Sequence, residues 1–173
     1  MWDFFATVRH RHSIRRYQPD MPVEKEKLHA ILEMASAAPS AGDLQAYHIY
    51  VVTDETARSE LASASSNQTF ISEAPVCLVF CADPHRSADQ YEQRGRNLYA
   101  VQDATIAAAY AQLAAVAAGV GSTWIGHFDD NAIAKVIGMG DGLVPVALLS
   151  LGYPAELPEQ TARRPLDEVV TYC

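Results

Sequence analysis

Reactive side chains concentrate at Arg9-His10-Arg11-His12-Ser13-Ile14-Arg15-Arg16-Tyr17, a basic knot in a 173-residue chain of formal net charge -8. An acidic protein repels anions on average, so a local cluster of cations marks a specific anion site. Guanidinium groups present planar forks of donors suited to phosphate, and Ser13 adds a short-range donor. Residues 11, 13 and 15 share one side if the segment is extended, whereas 11 and 15 share a face if it is helical. The competing reading is a solvated basic helix end, where cations favour the C-terminal dipole. A second cation pair, Arg163-Arg164, lies far away in the proline-rich tail.

Other chemistries fail on spacing. Gly119-Val120-Gly121 opens like a dinucleotide fingerprint, but position 124 is Trp, and the glycines follow a helix instead of leading into one. There is no GxxxxGK loop, HExxH helix or GxSxG elbow. The histidines do not fall at metal-ligand spacing, and His127 is the one worth watching. The acidic balance argues against nucleic-acid binding. Cys77, Cys81 and Cys173 include no CxxC and read as reduced thiols. No secretory signal opens the chain, and the apolar stretch from Ala104 to Val120 is shorter than the about 20 residues a membrane span needs. A soluble cytoplasmic protein is the expectation, folded as a single domain over 1–173.

The elements that must hold the basic knot follow from periodicity. Residues 3–10 form a short helix with Phe4, Phe5 and Val8 on one side. Leu28, Ile31, Leu32 and Ala35 give a second helix its apolar stripe. Ala38-Pro39-Ser40-Ala41-Gly42-Asp43 breaks that helix, and His48–Val52 is a strand. A third helix runs from 54 or 55 to 64. Residues 75–82 form a near-continuous apolar run, as in a strand covered on both faces. The polar stretch 83–97 reads as a mobile surface segment, a lid over a pocket. A long helix occupies 98–118 and carries nine alanines between Ala104 and Ala118. It is apolar nearly all round, so it needs cover on most sides. A homodimer interface supplies that cover; a central position within a monomer is the alternative. Ser122–Ile125 is a short strand or turn, Asn131–Ile137 a short helix, and Val146–Tyr153 the last strand.

Four separated blocks then resemble one family. Arg11-His12-Ser13-Ile14-Arg15-Arg16-Tyr17 is similar to the N-terminal signature of the FMN-dependent nitroreductase superfamily. Ala38–Gln45 resembles its second block and Gly121–Gly126 its third. Leu151-Gly152-Tyr153-Pro154-Ala155-Glu156, followed by Arg163-Arg164-Pro165-Leu166, completes the order. The resemblance implies an α+β fold, a mostly antiparallel sheet flanked by helices, assembled as an intertwined homodimer with FMN at the interface.

The same resemblance implies roles. Arg11, Ser13 and one or both of Arg163 and Arg164 neutralise the FMN phosphate. Arg15 and the edge of His12 lie nearer the ribityl chain and pyrimidine ring. Pro39, Ser40, Ala41 and Asp43 reach the flavin of the other subunit. Trp124, Ile125 and Gly126 pack on the ring, with the Gly126 N–H directed at N5. Asn67, or else Gln68, touches the pyrimidine edge. No side chain is an obligatory acid or base. NADH or NADPH delivers hydride to the flavin, and a nitroaromatic, quinone or similar acceptor removes it in a ping-pong cycle. Alternatives are a specialised flavin reaction, reductive dehalogenation or flavin fragmentation, or a non-catalytic protein that binds a phosphorylated ligand. Four positions depart from the family pattern: Asp43 replaces a common Asn, Ala46-Tyr47 a common Pro-Trp, and Phe70 a Lys found in some members. An added carboxylate and a missing cation disfavour anionic reduced flavin.

Overall fold

The computed structural model describes residues 3–173. Its frame is a four-stranded sheet of β1 (Tyr47–Val52), β2 (Val76–Ala82), β3 (Gly121–Ile125) and β4 (Val144–Gly152). The strand order is β1-β2-β4-β3, and each neighbouring pair is antiparallel. All seven residues of β2 are buried, as its unbroken apolar sequence predicts. Alternate side chains serve two cores: Cys77, Val79 and Cys81 face one, while Val76, Leu78 and Phe80 face the other.

Helices cover both faces. The first core receives α3 (Glu55–Ala64), α4 (Phe70–Glu73) and α7 (Asp130–Ile137) through Leu61, Ile71 and Ile133. The second receives α2 (Lys25–Ser36) and α6 (Ala100–Ala117) through Ile31, Ala35, Ala107, Ala108 and Ala111. Fully burying each large aliphatic or aromatic side chain contributes about 1.5–3 kcal/mol. Carboxylate caps set several helix starts. Asp3 accepts from the Ala6 N–H at 2.7 Å ahead of α1 (Phe4–His10). Asp54 and Asp129 do the same for α3 and α7 at 2.8 and 2.9 Å.

One expectation is overturned. The 83–97 stretch is no mobile lid: it folds as α5 (Pro84–Arg94), capped by Asp83, and passes through a π-helical turn at 95–99 into α6. Its polarity reflects one exposed helical face, while Pro84, Ser87 and Gly95 are buried. Gly95 is required there, since a Cβ would stand 2.3 Å from the Ser87 carbonyl oxygen.

The alanine helix buries only one stripe, at 100, 103, 104, 107, 108, 111 and 115. Val101 and Tyr110 on its other side are exposed. Phe4, Phe5 and Met34 are exposed nearby, and Phe4, Met34, Tyr110, Leu113 and Ala117 line an apolar groove. Among the described residues, no helix is long and apolar enough to cross a membrane.

Candidate functional site: an anion cradle at the sheet edge

The basic knot is extended. After α1 ends, Ser13 makes a parallel bridge to Ser122 of β3, and the Ile14 N–H donates to the Ser122 carbonyl at 3.0 Å. Tyr17 bridges Pro154, and Gln18 donates to the Tyr153 carbonyl at 2.9 Å. The segment is thus laid against the outer edge of β3, with Ile14 and Tyr17 turned into the core. An extended chain puts 11, 13 and 15 on one side. Arg11, Ser13 and Arg15 duly line one cavity of about 310 Å³ together with His12, Glu159, Thr161 and Arg163.

Distant cations therefore converge, as the sequence suggests, and the tail pair is resolved. Arg163 lines the cavity and is held by a 2.6 Å bond to Thr161 Oγ1. Arg164 does not join it: its Nε lies 3.1 Å from Glu168, in an i,i+4 ion pair. Among the described residues, none of Arg11, Arg15 and Arg163 forms an ion pair. Three guanidinium groups face a single lining carboxylate, Glu159, leaving an excess of positive charge that suits a phosphate dianion.

A buried polar network fixes this strand. Tyr17 donates from its hydroxyl to the Ile14 carbonyl at 2.6 Å and lies 2.7 Å from Ser150 Oγ. Burial pushes the Tyr17 hydroxyl up to about 12, so it remains a donor. The Thr123 hydroxyl donates to the same Ile14 carbonyl. Glu156 accepts from the Arg15 and Arg16 N–H groups at 2.6 and 3.2 Å.

The ring-contact residues of the sequence reading divide clearly. Trp124 is half-buried and Ile125 buried at the end of β3, while Gly126 is exposed beyond it. A Cβ at Gly126 would meet only the Trp124 Nε1 at 3.6 Å. The protein leaves that space open, as close approach of a flat ring requires. Arg15 stands over the Phe70 ring at 5.8 Å from its centroid, which ties the turn carrying Asn67 to the cradle. Gln68 spends its amide on the Ser65 carbonyl at 2.9 Å. Asn67 is exposed with φ +57. A wide cleft of about 900 Å³ opens beside Gly126, between α3 and α7, with Ser66, His127, Phe128 and Lys135 in its lining.

Pro39, Ser40, Ala41 and Asp43 are not brought to the cradle within one chain. Their loop leads into β1, whereas the cradle lies beyond β3 at the opposite edge of the sheet. Three inter-strand steps put these edges roughly 14 Å apart. Within the loop Gly42, Asp43 and Gln45 have φ of +58, +56 and +45. The non-glycine members of such a set cost on the order of 1–3 kcal/mol each unless their surroundings enforce the geometry. Enforcement comes from Ser40 Oγ, which accepts from the Gln45 N–H at 2.9 Å, and from the Arg86 guanidinium, which donates to the Leu44 carbonyl. It comes above all from Asp103, a residue the sequence reading passed over. Asp103 is 2% exposed and accepts from the Ala41 and Ala46 N–H groups at 2.9 and 3.2 Å. A lone carboxylate in an alanine-rich buried helix was the available signal, since a buried charge demands partners.

The α+β sheet thus carries at one edge a guanidinium cluster with a net excess of positive charge, a donor set that suits a phosphorylated ligand. The nitroreductase family profile matches residues 8–70 and 62–153. The chain is 33% identical to the NADH dehydrogenase of Thermus thermophilus, across 94% of this chain and 92% of that protein. It is 31% identical to the NADPH-flavin oxidoreductase of Vibrio harveyi, across 95% of this chain and 71% of that protein. Nitroreductase A from Vibrio parahaemolyticus superposes at a TM-score of 0.90 with 31% identity, covering 99% of this chain and 75% of that one. The NADPH:FMN oxidoreductase from Vibrio harveyi complexed with NAD+ gives 0.88 with 29% identity, covering 97% and 76%. This chain belongs to the nitroreductase family.

Proposed function

We propose that this chain, acting as one domain over residues 1–173, is an FMN-dependent NAD(P)H oxidoreductase that reduces nitroaromatics, quinones or similar electron-poor acceptors. The observation that carries this reading is the convergence of Arg11, Ser13, Arg15 and Arg163 on one cavity, beside an open approach at Gly126. Bound FMN supplies hydride acceptance and donation at ring N5. The residues bind, orient and tune. Arg11, Ser13 and Arg163 hold the phosphate. Arg15, tethered over Phe70, and the His12 edge lie along the ribityl chain and pyrimidine ring. Trp124 and Ile125 back the ring, the Gly126 N–H is offered to N5, and Asn67 meets the pyrimidine edge.

The working unit in this reading is a homodimer with flavin at the junction, in the cytoplasm. The edge-to-edge separation supports it, because a second copy can bring Pro39, Ser40, Ala41 and Asp43 to a flavin in the cradle that lies across the sheet from their own loop. The exposed apolar surface of α1, α2 and α6 supports it too. So does the tail, where Leu157, Leu166 and Tyr172 are 97%, 77% and 95% exposed. The free thiols of Cys77, Cys81 and Cys173 fit a reducing compartment.

The test is anaerobic. Protein loaded with FMN is mixed with NADH or NADPH, and the visible flavin band is followed. Bleaching, then recovery on adding a quinone, is expected. A yellow protein that neither nicotinamide bleaches defeats the oxidoreductase reading. A colourless one that ignores added FMN favours a binding protein for another phosphorylated ligand.

A further inference from the structure

Asp103 is the sole charged residue of α6 and sits among Ala46, Ala82, Ala100 and Ala104. Alanine would pack there without any desolvation cost, so a carboxylate calls for a reason beyond filling space. Its two oxygens go to different places. Oδ1 takes the Ala41 N–H and Oδ2 the Ala46 N–H, so one rigid side chain grips both ends of the loop. All three positive-φ residues of that loop lie between the two grips. The Asp103 charge is also felt by Tyr47, whose hydroxyl is raised above its ordinary range by burial and secondarily by this carboxylate. On the outer side α5 closes the loop, because a Cβ at Gly42 would stand 2.6 Å from the Tyr91 hydroxyl.

We infer that Asp103 is a positioning residue: it staples the 41–46 loop from inside, so that Ser40, Ala41 and Asp43 are presented ready-made to the flavin held by the partner copy. This inference rests on the FMN reading above. Such a staple stabilises the bound state because the loop is ordered before the ligand arrives. The Asp103→Asn variant tests it. An amide oxygen can keep one N–H, but its NH2 then faces the other donor, and one grip is lost.

The full-length protein, freed of flavin, is titrated with FMN by fluorescence quenching. Its thermal midpoint and the hydrogen exchange of the loop amides are measured alongside. The expected result is FMN binding weakened about tenfold, with faster exchange concentrated in 41–46 and a lower flavin-free midpoint from the buried donor left unpaired. Arg86→Gln, which releases the Leu44 carbonyl from α5 without removing a proposed flavin contact or touching the core, should weaken FMN binding in the same direction and covers the case in which Asp103→Asn fails to fold. Unchanged FMN affinity in both variants overturns the staple while leaving the oxidoreductase reading standing. A lowered flavin-free midpoint with unchanged affinity makes Asp103 merely structural and also overturns it. If the unaltered protein binds no FMN, the functional reading itself falls, and the inference with it.

Discussion

Arg163 and Arg164 are adjacent and chemically identical, yet the fold gives them different tasks. Arg163 points into the cradle beside Arg11, Ser13 and Arg15, while Arg164 turns back to Glu168. A hydrogen bond to a charged group is worth about 1.5–3 kcal/mol. Arg163 is exposed at the cavity rim, so the lower figure applies, and about 1.5 kcal/mol is roughly a tenfold change in Kd. Arg163→Gln should therefore weaken FMN binding about tenfold, and less so in high salt, where screening has already weakened the contact. Arg164→Gln removes an exposed i,i+4 pair worth about 0.3–0.5 kcal/mol and a bond to the Glu168 carbonyl, both outside the cradle, and should leave Kd within about twofold. Riboflavin, which lacks the phosphate, provides the internal control: its weaker binding should be the same in both variants and in the unaltered protein. Fluorescence-quench titrations of flavin-free protein read all of these values. The reasoning fails if Arg163→Gln weakens riboflavin as much as FMN, or if the two variants behave alike.

Gly126→Val fills space that the chain itself leaves empty. Its flavin-free thermal midpoint should correspond to a change within about 0.5 kcal/mol, while FMN affinity and nicotinamide-driven bleaching fall sharply; a midpoint drop without binding loss would contradict the open-approach argument. Gly95→Ala drives a Cβ into the Ser87 backbone and should cost about 1–3 kcal/mol, read as a lowered urea midpoint. Alkaline stability has a definite sign. Burial raises the Tyr17 hydroxyl from 10.0 and the Cys77 and Cys81 thiols from 9.0 to about 12 in the folded protein. These groups keep their protons in the folded state where the unfolded chain releases them. Their contribution is complete below pH 9 and is lost as pH rises from 9 towards 12. Tyr17→Phe and Cys77→Ala should each flatten that decline in urea unfolding measured between pH 8 and 11. Tyr110→Glu places a charge on the exposed apolar face of α6 and should yield a monomer in sedimentation velocity; an unchanged dimer would move the interface elsewhere.

Much was legible because local chemistry settles it. The unbroken run 75–82 reads as a strand covered on both faces, and the stripe at 28, 31, 32 and 35 as the core-facing side of a helix. The alternation of 11, 13 and 15 named the cradle side once an extended chain was assumed. The lid expectation for 83–97 failed because composition records polarity but not helical packing: Asp83 and Pro84 start a helix there, and Gly95 lets it press against the next one. That the Gln68 NH2 is held by the Ser65 carbonyl while Asn67 stays exposed depends on the geometry of one turn. Asp103 went unnoticed as a site residue because its partners are backbone N–H groups about sixty positions away, which leave no trace in residue types.

By itself the chain of residues determined which segments are apolar, where helices start, and that phosphate-seeking cations come in two islands. Those are short-range properties of side chains and their spacing. That loop and cradle lie at opposite edges of the sheet was decided only by the strand order β1-β2-β4-β3, and which arginine of the tail reaches the first island only by how the tail packs, Arg163 toward the cavity and Arg164 toward Glu168. Strand order is fixed by packing between residues remote in sequence, and no local pattern encodes it.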